Sequence, residues 1–87
     1  MKCGHVDVTK VKVIADYRLH LTFNNGVSGE IDISKLVPFD GIFAPLKDKN
    51  YFSQVKVNSD IGTICWENGA DLAPEWLYEH IQKKSTN

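Results

Sequence analysis

Two alternating runs on either side of Asn24-Asn25-Gly26 leave this chain few ways to fold. "RLHLTF" sets Leu19, Leu21 and Phe23 on one face and His20 and Thr22 on the other. "VSGEIDI" sets Val27, Ile31 and Ile33 against Ser28, Glu30 and Asp32. A period of two is the pattern of half-buried strands. The turn between them follows from register. A two-residue Asn25-Gly26 turn would pair Phe23 with Ser28 and mix the core face with the solvent face. A three-residue loop, Asn24-Asn25-Gly26, pairs Phe23 with Val27 and Leu19 with Ile31, so both apolar sets stay together. That loop needs a left-handed residue at its third position, which Gly26 supplies. The prediction is a type I turn closed by a glycine bulge.

The same argument, carried upstream, matches the set Val11, Val13 and Ala15 with the set Leu19, Leu21 and Phe23 if Asp16-Tyr17-Arg18 forms the loop. In that register Ala15 faces Leu19. Val6 and Val8 fall in the opposite phase, which predicts a bulge near Thr9-Lys10. Beyond Ile33 the alternation ends. "SKLVPFDGIFAPL" reads as a helical turn and an irregular stretch anchored by Phe39, Phe43 and Leu46, and "KDKNYF" as a further turn burying Phe52. "QVKV" and "GTICW" read as two more strands joined through "NSD". "PEWLYEHIQKK" carries the helix. Pro74 suits its first position, acids lie early, and Lys83 and Lys84 close it. Pro74, Leu77, Tyr78 and Ile81 share the face expected to pack on the sheet. The expected fold class is α+β: an antiparallel meander of about five strands, one C-terminal α-helix packed on it, and short helical turns between. All 87 residues form a single domain, its core running over about residues 5–83 with a frayed tail at 84–87.

Composition narrows the function classes. An apolar share of 43% and a charged share of 24% are those of a globular chain. A net charge of −1 argues against a protein whose main task is gripping phosphate backbones. The lysines at 10, 12, 47, 49 and 56 lie apart in the sequence, which leaves a small local basic patch open. "MKCGHVDVTK" has no apolar segment of a leader, and no stretch is long and apolar enough to span a bilayer. Two cysteines without a leader read as reduced thiols. The expected location is the cytoplasm, with no membrane partner.

The densest run of reactive residue types is "TICWENGADLAPEWLYEHI", residues 63–81. Cys3 and His5, with Cys65, His20 and His80 elsewhere, lack the second short-spaced pair that structural zinc requires, so no metal is expected. Cys65 sits in a strand, where cysteine acts as a small hydrophobe, and His80 falls on the outer side of the helix. Asp71 and Glu75 are expected to serve the free amides and the positive end of the helix start. No catalytic residues and no cofactor are expected. Trp66 is expected in the core. Trp76 projects away from the apolar face with His80 and Lys83 near it in helical projection. It is either an exposed binding residue or covered by "IFAPL", and the sequence leaves both open. A second candidate is a ligand loop built from Trp66, Asn68, Asp71 and Glu75.

"LHLTFNNGVSGEIDI", "PLKDKNYFSQVKV" and "IGTICWENGADLAPEWLY", in that order, resemble the bacterial family called domain of unknown function 2442. The likeness runs from about Val6 to Ile81 and is sharpest at Trp66, Asn68-Gly69-Ala70-Asp71, Pro74-Glu75 and Leu77-Tyr78. The resemblance implies a small α+β domain without established activity. Some relatives are fused to a helix-turn-helix domain, and others are encoded beside another small protein in a toxin–antitoxin-like arrangement. With the chain ending at Asn87, no such DNA-binding domain is expected here. Cys65 stands where relatives look more often aliphatic. The resemblance thus implies a non-enzymatic protein-interaction module, antitoxin-like, whose partner is another small protein encoded adjacently. The surface would be a sheet edge, also open to self-association, or the Trp76–His80 face. The alternative is a small-molecule or nucleic-acid accessory domain using the Trp66–Asp71 loop.

Overall fold

The Asn24-Asn25-Gly26 loop closes as its register requires. In the computed structural model, which describes residues 6–83, Phe23 N–H donates to Val27 C=O at 2.8 Å and Gly26 N–H donates back to Phe23 C=O at 3.0 Å. Gly26 has φ +89°, the left-handed conformation that the bulge needs. Asn25 Oδ1 accepts from Val27 N–H at 3.0 Å and fixes the bend. Strand β2 (Arg18–Phe23) therefore pairs antiparallel with β3 (Ser28–Asp32), with Leu19 opposite Ile31 and Leu21 opposite Gly29.

Strand β1 (Val8–Ala15) pairs with the other side of β2, but its turn is tighter than the sequence suggested. Ala15 faces Arg18 and Val13 faces Leu19, so Asp16-Tyr17 alone makes the turn and Ala15 does not face Leu19. Asp16 takes φ +37°, which Asp tolerates, and a register shift between Val13 and Ala15 absorbs the odd residue. A shift of two leaves parity intact, so Val11 and Val13 still lie on the apolar side. The expected bulge is present between Val8 and Lys10.

The sheet then departs from a plain meander. Its order is β1-β2-β3-β6, while β4 (Lys56–Asn58) and β5 (Thr63–Cys65) form a separate two-stranded sheet. Strand β6 is Gln82–Lys83, pairing with Gly29 and Glu30 at the edge of β3. Helix α3 is accordingly Pro74–His80 and not the longer helix that the charge pattern suggested. Ile81 turns to an extended conformation, φ −69° and ψ 151°, while its side chain stays in the core. The backbone of β3 offers Gln82 and Lys83 a ladder that another polar helical turn cannot match. Lys83 is therefore a strand residue and not a cation at a helix terminus.

Helix α3 packs through the face that its sequence specified. Leu77 is fully buried, Ile81 nearly so, and the Tyr78 ring meets Phe23 edge-on at 5.1 Å. Helical turns α1 (Ile33–Leu36) and α2 (Lys49–Phe52) flank a 3₁₀ segment, Gly41–Lys47. Asp32 and Asp48 start the two turns by accepting from Ser34 N–H at 3.0 Å and Asn50 N–H at 2.9 Å. Their yield is Ile33, Leu46 and Phe52, each fully buried. Such burial stabilises by roughly 1.5–3 kcal/mol per side chain. Tyr17 bridges this region to the sheet through edge-on contacts with Phe39 and Phe52 and a hydroxyl bond to Lys47 C=O. Lys49 Nζ lies 3.0 Å from Asp16 at the first turn. Cys3, His5 and the tail at 84–87 lie outside the described residues.

Candidate functional site

The loop after β5 is an internal brace. Trp66 is 1% exposed and donates its indole N–H to Phe52 C=O at 3.0 Å. Asn68 uses its side chain twice: Nδ2 donates to Ile42 C=O at 2.9 Å, and Oδ1 accepts from Ala70 N–H at 3.1 Å. Its backbone N–H donates to Tyr51 Oη at 3.0 Å. One residue thus ties the loop to the 3₁₀ segment and to α2. The Trp66 indole and the Asn68 side chain, two groups a ligand loop would offer, bond to the fold here.

Asp71 is not the helix cap that its position suggested. It forms a bridge with Cys65 and is exposed, while the residue before α3 is Ala73, with no side-chain bond to the helix amides. The physical reason is the extended Leu72-Ala73 connection, which carries Asp71 back along β5. Leu72 C=O accepts there from Thr63 Oγ1 at 2.6 Å. Pro74 does occupy the first helical turn and Glu75 is exposed in it. Cys65 is 7% exposed, inside β5.

Trp76 is half-buried and lies partly against the core. Its outer ring face is taken by His80, with ring centroids 4.3 Å apart and planes inclined by 32°. His80 Nδ1 is 2.8 Å from Trp76 C=O, which fixes the imidazole on the indole. Trp76 is thus neither fully exposed nor fully buried, and His80 stacks on its ring. Lys83 does not join it as a helical neighbour, because the chain has already entered β6. His80 also borders a cleft of about 240 Å³ between α1 and the end of β3, where Arg18 and Lys35 stand with Glu30 and Asp32. Among the described residues, no group of three or more His, Cys, Asp or Glu is placed to hold a metal ion. None of the described helices is long and apolar enough to cross a membrane.

The feature that reasoning along the chain missed lies at the opposite edge of the sheet. Strand β1 ends the four-stranded sheet, and β4 lies beside it. An open groove of about 660 Å³ runs over the polar face of β1 and β2 up to β4, lined by Lys10, Lys12, His20 and Thr22 on the sheet and by Val55, Lys56 and Val57 beside it. Three lysines scattered in sequence therefore meet on one surface, and no carboxylate lines the groove. The backbone there has a definite polarity. Phe23 donates toward β3, so by alternation Leu21 and Leu19 also face β3, and Thr22 and His20 face β1. Their partners Lys10 and Lys12 are the bonded residues of β1, which leaves Val11 and Val13 directing their N–H and C=O groups outward. The start of this edge is covered, where Val8 N–H donates to Gly62 C=O at 2.9 Å. Gly62, at φ +70°, has no room for a Cβ against the Asp7 side chain.

The family model described as protein of unknown function (DUF2442) matches residues 8–83, from the first residue of β1 to the last of β6. No curated protein and no solved structure matches the chain at a significant level.

Proposed function

The chain belongs to the DUF2442 family, and from that premise we propose that it is a non-enzymatic protein-interaction module, the antitoxin-like member of a small two-component system acting in the cytoplasm. The observation that carries this reading is the edge of β1: among the described residues no strand is hydrogen-bonded to the outer side of this eight-residue strand, although β4 lies beside it. An edge of that kind is a template for strand addition, in which main-chain bonds supply affinity and flanking side chains supply specificity. The opposite edge ends in β6, a two-residue strand paired with Gly29 and Glu30, which offers far less backbone than β1. Residue types that would begin a catalytic argument have structural places, Cys65 inside β5 and Asp71 in its bridge to that strand. The alternative, a ligand site at Trp66, Asn68, Asp71 and Glu75, has less support, since Trp66 and Asn68 bond to their own fold.

The test is recovery of the tagged chain from its native lysate beside two variants. Val11→Pro deletes one outward donor at an edge position that tolerates proline. Trp76→Ala deletes the stacked helix residue. One small protein recovered in equal amount with wild type and Trp76→Ala, and lost with Val11→Pro at unchanged helix and sheet content, is the expected result. Loss with Trp76→Ala alone moves the surface to the helix and overturns the edge assignment. Recovery of the chain by itself overturns the module.

A further inference from the structure

We infer that the groove between β1 and β4 takes an acidic, extended peptide segment that adds to β1 as a strand, with carboxylates at alternate positions. The inference rests on the edge-pairing reading above and names the chemistry of the partner. Three observations set it. Val11 and Val13 turn their backbone donors and acceptors into the groove, so a strand laid there finds a ladder. Lys10 and Lys12 point to one face of β1, two residues apart, and Lys56 stands across the groove on β4. Val55 and Val57 supply an apolar wall on the side that Val11 shares.

These placements dictate a pattern. In an added strand, a residue opposite Val11 points to the same face as Val11, and its two neighbours point to the face of the lysines. Residues opposite Lys10 and Lys12 should therefore be Asp or Glu, and the residue between them apolar. Successive side chains on one face stand about 6.5–7 Å apart, so alternating acids match the lysine spacing without distortion. The Val8–Gly62 bond blocks the groove at one end, so the strand runs along residues 10–14 toward Ile14, which is exposed. A nucleic-acid strand is the weaker fit. The ring that the groove offers a base is the His20 imidazole, with no Phe, Tyr or Trp beside it, while its backbone ladder is of use only to a peptide.

The test uses the full chain and two fluorescent peptides of about six residues, one alternating Glu and Val, the other alternating Lys and Val. A single-stranded oligothymidylate is the third probe. Fluorescence polarisation should show binding of the Glu/Val peptide alone, weakening as salt rises from about 0.05 to 0.5 M. Lys12→Glu should weaken it about tenfold through lost attraction and added repulsion, with Lys10→Glu similar. Val11→Pro, which keeps every charge, should weaken it at least as much. Binding that survives Val11→Pro reveals attraction to a charge cloud and overturns strand addition. Oligothymidylate binding without peptide binding overturns the peptide in favour of a phosphate backbone. A lysate partner lost with Val11→Pro but retained with Lys12→Glu would leave the edge reading standing and overturn the acidic pattern. Absence of any such partner would remove the module while the peptide measurement still stood by itself.

Discussion

Replacing Asn68 with alanine separates a brace from a ligand site. The substitution removes two hydrogen bonds, Nδ2 to Ile42 C=O at 2.9 Å and Ala70 N–H to Oδ1 at 3.1 Å, and retains the backbone bond to Tyr51 Oη. A net hydrogen bond contributes about 0.5–1.5 kcal/mol. Asn68 is exposed, so water can reach part of what is released, and the lower half of that range applies to each bond. The expected loss is about 1–2 kcal/mol. In a domain of this size each kcal/mol moves the melting temperature by about 4–8 °C, which gives a fall of about 4–16 °C in a calorimetric scan. Tyr51→Phe removes only the backbone bond and should cost about half as much. Asn68→Asp keeps an acceptor for Ala70 but replaces the donor to Ile42, so it should fall between wild type and alanine. A melt of Asn68→Ala that coincides with wild type would refute the reasoning. The residue would then contribute nothing to the fold, and its place in the loop would call for a ligand.

Gly26→Ala meets open space but must hold φ +89°, and should lower stability by about 1–2 kcal/mol with an unchanged denaturant slope in urea titration. Trp66→Phe leaves Phe52 C=O without its buried indole donor and should cost about 2–4 kcal/mol; the remaining Trp76 fluorescence should shift to the red. The Asp16 carboxylate, by its hydrogen bond first and its charge second, holds the Lys49 pKa above the ordinary 10.5. A raised lysine pKa means stability that is fully present below the ordinary value and lost as pH rises through the raised one. Asp16→Asn should therefore lower the urea midpoint slightly at neutral pH, and the two proteins should converge above the lysine range. Both groups are exposed, and a gap that persisted there would assign the effect to the turn itself.

What the sequence disclosed depended on whether the governing contact was local. The Asn24–Gly26 loop was legible because parity admits one register and Gly26 alone permits it. The first turn is one residue shorter than expected and the register of Val11 and Val13 differs by two, a shift that keeps both on the correct face, so hydrophobic pattern cannot detect it. Strand β6 was hidden because Gln82 and Lys83 continue a plausible helix, and only the neighbouring edge of β3 pulls them out. Asp71 looked like a cap because spacing along the chain cannot show that Leu72 returns to Thr63. The Trp76–His80 stack follows from i, i+4 geometry and was foreshadowed by their nearness in projection. The sequence left a small basic patch open but could not place the lysine groove, since Lys56 joins Lys10 and Lys12 only when β4 settles beside β1.

The same lysines bear on whether the β1 edge is used between copies of this chain. Two copies pairing antiparallel about Val11 would set Lys10 of each opposite Lys12 of the other, all on one face. Like charges directly opposite destabilise a pair by about as much as opposite charges stabilise it, roughly 0.2–1 kcal/mol for each contact. Two such contacts oppose the dimer, whereas an acidic strand converts both into attractions. An edge carrying lysine on its polar face thus discriminates by sign: it resists its own kind and admits a segment of opposite charge. An interaction through β1, as proposed, should therefore be heterotypic, with the partner supplying the carboxylates, and not a homodimer built on the same strand.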